Sequence, residues 1–223
     1  MNKKKILSLA LVVLLLATIS FGTLAWFNDK DEITNTFHVA TSEDPADPDD
    51  IFSVDVWEYV NGNVTDKDQD GAAFENILPG SRVHKEVYVE NTGAYAQYVR
   101  VNVSISEAKA FQDALGDYDL SESFQNHNET IWTRYDDPVY DKEADTLTYT
   151  YYLNRKLSVG DKACLFTHVV IPTALTQQDM AAMGGNFALT VVAEAVQADN
   201  LDATTAAEAF AEIGWKVGTD YGA

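Results

Sequence analysis

Apolar and polar residues alternate with a period of two along most of the chain, which predicts an all-β domain. Phe52, Val54 and Val56 share one face of a strand within 51–60, and Tyr95, Val99, Val101, Val103 and Ile105 share a face across 95–106. Further strands are expected at 83–90, 130–135, 146–153, 162–171 and 186–197. Turn formers separate most of them: Asn61-Gly62-Asn63, Leu78-Pro79-Gly80, Asn91-Thr92-Gly93, Val159-Gly160-Asp161 and Gly184-Gly185. Roughly seven or eight antiparallel strands of this kind imply a β-sandwich or jelly roll. Helices are secondary elements in loops and near the C-terminus, at 107–115, 175–183 and 204–213; the last is the clearest, because Thr205 and Glu208 have capping-box spacing.

The first fifty residues follow another pattern. Lys3, Lys4 and Lys5 precede an almost wholly apolar run from Ile6 to Leu16, and Thr23-Leu24-Ala25 places small residues where a signal peptidase cuts. Residues 1–25 therefore read as a signal peptide cleaved between Ala25 and Trp26. The alternative is an uncleaved anchor, since 6–27 carries no charge and about 20 apolar residues span a bilayer; the membrane is a partner only in that case. Residues 26–50 form an N-terminal strand and an acidic linker, and 51–223 form the main domain. Trp26, Phe27, Ile33, Phe37 and Val39 are apolar anchors of an extended segment, followed by the Pro/Asp-rich stretch 42–50. Such a segment either pairs with an exposed sheet edge elsewhere or serves as the first strand of its own domain.

Charge narrows the choice of partner. The formal charge is −20, and removing residues 1–25 takes away three lysines and no carboxylate, leaving −23. A surface so negative argues against nucleic acid and favours solubility or divalent cations. Asp66, Asp68 and Asp70, followed by Gly71, resemble the opening of a calcium loop. Ile77 holds the twelfth position where a bidentate acid belongs, and Glu75 comes two residues early. These four acids are the candidate Ca2+ ligands, set against a solvated acidic hairpin loop, and no cofactor is required.

The remaining chemistry is sparse. Cys164 is the only cysteine, cannot form an internal disulfide, and reads as a small hydrophobe within the apolar run 163–166. His38, His84, His127 and His168 are scattered, with no His-Glu-x-x-His to bind zinc. No Gly-x-Ser-x-Gly elbow occurs, so no catalytic residue is nominated.

Two stretches together resemble a known family. Gly22-Thr23-Leu24-Ala25-Trp26-Phe27-Asn28-Asp29, continuing to Thr34-Asn35-Thr36-Phe37, is similar to the signature processed by the SipW-type signal peptidase of Gram-positive bacteria. The stretch from Leu78-Pro79-Gly80 through Asn91-Thr92-Gly93, with Tyr98-Val99-Arg100-Val101, resembles the core strands of the TasA/camelysin family of extracellular matrix proteins. The resemblance covers under a third of the chain. It implies a jelly roll, export by that peptidase, and self-assembly into biofilm fibres by donor-strand exchange, in which one subunit's N-terminal strand completes the next subunit's sheet. Two alternatives accompany it: a camelysin-like surface metallopeptidase, and a secreted adhesion module whose contacts come from eleven tyrosines and the acidic loops. N-terminal sequencing of protein recovered from culture medium is expected to read from Trp26; a chain retaining residues 1–25 and sedimenting with membranes would make the segment an anchor.

Overall fold

Strand β5 (Gln97–Ser106) converts the alternation into architecture. Val99, Val101, Val103 and Ile105 enter the main apolar core, while Tyr98, Arg100 and Asn102 on the opposite side are buried as well. A strand covered on both faces belongs to the middle of a layered structure.

The computed structural model describes residues 28–35, 54–60, 63–65, 74, 77–135, 137–184, 186–199 and 201–214. They form two antiparallel sheets. The first runs β1 (Asn28–Asn35), β11 (Leu189–Gln197), β5, β9 (Thr146–Leu153) and β7 (Trp132–Arg134), with β8 (Val139–Asp141) also on β9. The second runs β3 (Asn63–Thr65), β2 (Val54–Val60), β4 (Arg82–Asn91), β10 (Lys162–Val170) and β6 (Phe124–Gln125). Val54, Val56, Val87, Val89, Leu165 and Phe166 of the second sheet meet Val101, Val103, Tyr149, Val191 and Ala193 of the first in one core. The fold is thus an all-β antiparallel sandwich, as the alternation predicts.

The strand count is higher than expected: the described residues contain eleven. β3, β6 and β8 have three, two and three residues, too few to show a period. β1 falls within the N-terminal strand expected in 26–50, in a charged stretch without alternation. Tyr95, assigned to the β5 face, precedes the strand and is 44 % exposed, and β5 begins instead at the buried Gln97. In β10 the register shifts between Cys164 and Phe166 and again before His168, a bulge that lets the consecutive Leu165 and Phe166 both reach the core.

Two turn sequences have specific physical causes. Asn91 is fully buried; its Nδ2 donates to Tyr95 O and Leu157 O, both at 2.8 Å, and its Oδ1 accepts from Gly93 N at 3.0 Å. One side chain therefore builds the β4–β5 turn and ties it to the loop before β10. Gly80 has φ +83°, which favours glycine in the Pro-Gly turn, and a Cβ there would stand a close 3.3 Å from Thr173 Cγ2.

Helices α1 (Ala108–Leu115) and α2 (Gln177–Ala182) lie in connections, and α3 (Ala206–Glu212) follows β11. The Thr205–Glu208 capping box is formed, and α2 has a second one from Thr176 and Asp179. Ala206, Ala209 and Phe210 of α3 pack with Tyr98, Tyr152 and Val196, giving the outer face of the first sheet a core of its own. The Arg100 guanidinium lies 4.4 Å from the Phe210 ring centroid. Because Phe210 is fully buried, Phe210→Ala is expected to lower the unfolding free energy by about 3–5 kcal/mol in urea titrations. Ala207→Ser on the exposed side of the helix should change it little.

Candidate functional site

The outer edge of the first sheet joins two unlike strands. β11 reads Leu-Thr-Val-Val-Ala-Glu-Ala-Val-Gln, and every residue from Val191 to Val196 is buried. β1 reads Asn-Asp-Lys-Asp-Glu-Ile-Thr-Asn, with Ile33 its single aliphatic residue. Asparagine and aspartate are poor strand formers. Even so, β1 pairs with β11 over eight consecutive residues without a register shift, from Asn28 opposite Val196 to Asn35 opposite Leu189. As the last strand in the sheet order, it satisfies an edge that would otherwise present unpaired main-chain groups.

Register gives this pairing chemical identity. Lys30 stands opposite Glu194, which is 1 % exposed. Glu194 Oε2 accepts from Arg100 Nε at 2.5 Å and from Asn102 Nδ2 at 2.9 Å, and Asn102 Oδ1 accepts from Thr150 Oγ1 at 2.6 Å. A polar row thus crosses β11, β5 and β9 beneath α3, and the register places a lysine at its open end. A one-residue slip of β1 would put an acid opposite Glu194 in either direction, Asp29 or Asp31.

Of the predicted strand anchors, Ile33 stands opposite the core residue Val191. Trp26, Phe27, Phe37 and Val39 lie outside the described residues, as do the cleavage pair Ala25 and Trp26 and the calcium candidates Asp66, Asp68, Asp70 and Glu75. The structure adds residues that the sequence reading missed: Arg100, Asn102 and Glu194, and inside the sandwich Glu58 and Lys85. A signal for the last two was present. Glu58 continues the Val54, Val56 parity, and Lys85 shares that of Val87 and Val89, so both are charges at inward positions.

No family model and no curated protein matches the chain.

Among the described residues, no three of His, Cys, Asp and Glu are grouped to hold a metal ion. A cleft of about 550 Å³ is lined by Glu122, His127, Glu129, Trp132, Arg134 and Tyr151 among others. Its Arg134 is held by Asp119 Oδ2 at 2.5 Å and by Ser121 Oγ. His127, 5.0 Å from the Tyr151 ring, has its pKa lowered by burial, so it is neutral near pH 7. The outer face of the second sheet brings His84 and His168 together, ring centroids 4.9 Å apart, beside Glu86 and the stacked Trp57 and Tyr88.

Cys164, opposite Tyr88 on this face, is half-buried. Burial first, and then the Glu86 charge, push its thiol pKa up to about 11. The thiolate is the reactive form, so alkylation should be slow at pH 7–8 and accelerate about tenfold per pH unit up to about pH 11. Iodoacetamide labelling followed by mass spectrometry checks this; fast labelling of the folded chain at pH 7 would contradict it.

Proposed function

We propose that the chain is an exported structural protein of the extracellular or biofilm matrix, or of the cell surface, of a Gram-positive bacterium. In this reading a SipW-type peptidase processes it after Ala25, and it self-associates by exchange of its N-terminal strand. The observation that carries the reading is β1: the first described strand, at a sheet edge, joined to β11 by a continuous eight-residue ladder. Main-chain pairing of this kind is the same whether the strand comes from its own chain or from a neighbour.

Chain reach allows the exchange. Eighteen residues, 36–53, separate β1 from β2, and a stretch of that length spans at most roughly 60 Å when extended. That exceeds the size of a domain of this length, roughly 40 Å across. A jelly-roll winding of the two sheets and fibre growth by donor-strand exchange, both implied by the resemblance, belong to the same reading. The charge of −23 after cleavage keeps free subunits apart at low ionic strength, so assembly should be favoured by salt or divalent cations.

Residues 26–223 are expected to form higher-order species in size-exclusion chromatography and filaments in electron microscopy, whereas residues 41–223, lacking β1, should not. A full mature chain that stays monomeric under all salt and pH conditions would sink the exchange reading.

A further inference from the structure

Two of the chain's four histidines meet on the outer face of the second sheet. His84 of β4 and His168 of β10 are direct cross-strand partners, and the register shifts of β10 end at this pair. Bulges re-aim side chains, and here His168 stays on the outer face while Phe166 turns into the core. The two ring centroids are 4.9 Å apart, with planes inclined by 41°. With zinc–nitrogen bonds of about 2.0–2.1 Å, two imidazoles on one ion at angles of about 90–110° have centroids roughly 4.5–5.2 Å apart. The observed spacing falls within that interval.

Each ring is held through one nitrogen. His84 Nε2 donates to Glu86 Oε1 at 2.9 Å, and Glu86 is itself fixed by Tyr88, whose hydroxyl donates to Oε2 at 2.6 Å. His168 Nδ1 lies 2.9 Å from Thr167 Oγ1, a hydroxyl that also accepts from Asn126 Nδ2 at 2.7 Å. A hydroxyl oxygen has two acceptor lone pairs, so Thr167 can take both protons. The second nitrogens, His84 Nδ1 and His168 Nε2, have no hydrogen-bond partner among the described residues. The His84 side chain is 35 % exposed, so solvent reaches the pair. An imidazole anchored through one N–H to a carboxylate or other acceptor, with the other nitrogen left over, is the arrangement in which histidine ligates metals.

We propose that His84 Nδ1 and His168 Nε2 bind one divalent transition-metal ion of the zinc type, bridging β4 and β10. Imidazole suits such ions, whereas calcium and magnesium take oxygen ligands. Among the described residues no third His, Cys, Asp or Glu is grouped with the pair to hold a metal, so water fills the remaining positions. Glu86 is a positioning residue that orients the His84 ring, and its charge offsets that of Arg82, which is turned to Gln125 Oε1 at 3.1 Å. The ion clips together two strands whose ladder is interrupted by the register shifts. Nothing in this site depends on strand exchange.

Isothermal titration of Zn2+ into the mature chain, with Ca2+ in excess to occupy the acidic surface, tests the site. One strongly bound Zn2+ per chain is expected. His84→Ala and His168→Ala should each weaken binding about tenfold or more, and Glu86→Gln in the same direction. His127→Ala, in the cleft, should leave it unchanged. Should a variant fail to fold, the wild-type chain decides: Zn2+ is expected to protect His84 and His168 from diethyl pyrocarbonate, read by peptide mass mapping, and to leave modification of His127 as it was. Zn2+ that excess Ca2+ displaces, binding that survives both histidine substitutions, or a wild-type chain in which His84 and His168 gain no protection overturns the proposal.

Discussion

The open edge of β11 is the constraint around which the molecule is organised. Its side chains are buried on both faces, between the sandwich core on one side and the α3 layer on the other, so it behaves as an interior strand. An interior strand needs main-chain partners on both sides, and β5 provides only one. The other has to come from a segment that brings little apolar surface, and β1 supplies little beyond hydrogen-bonding groups and a register. Such a strand is specified by where its charges fall, which is why Lys30 opposite Glu194 matters more than its composition suggests.

The polar row beneath α3 follows from that arrangement. Arg100, Glu194 and Asn102 are almost entirely buried, and an unpaired charge there would be strongly destabilising. Each is satisfied across the strands, and Phe210 closes over the guanidinium. The helix therefore seals one face of the sheet whose edge β1 completes. Glu58 and Lys85 repeat the theme on the inner side, where charge again sits beside the strands that β1 approaches.

The titratable groups of the other faces are arranged otherwise. The Cys164 thiol is held protonated by its surroundings, Arg134 is committed to Asp119 and Ser121, and the His84–His168 pair is braced by Glu86 on a sheet face crowded with aromatic rings. Among the described residues these groups are engaged with one another and with the strands that carry them.

Alternation along the chain determined the sandwich: Val99 to Ile105, Val54 to Val56 and the strand at 146–153 show their buried faces in sequence because side chains in a strand point alternately to opposite sides. The Asn-Thr-Gly and Pro-Gly turns and the Thr205–Glu208 box were equally legible, since each is a local hydrogen-bonding or dihedral requirement. Strands of two or three residues were not; an N-terminal strand within 26–50 was expected, but its bounds, Asn28–Asn35, and its place beside β11 depend on a partner more than 150 residues away. The core charges Glu58 and Lys85 left a trace as wrong residues at inward positions, but their meeting required two strands to be laid side by side. Tertiary structure alone decided which edge is completed by which segment, because main-chain pairing is blind to sequence and only the assembled sheets determine what stands opposite what.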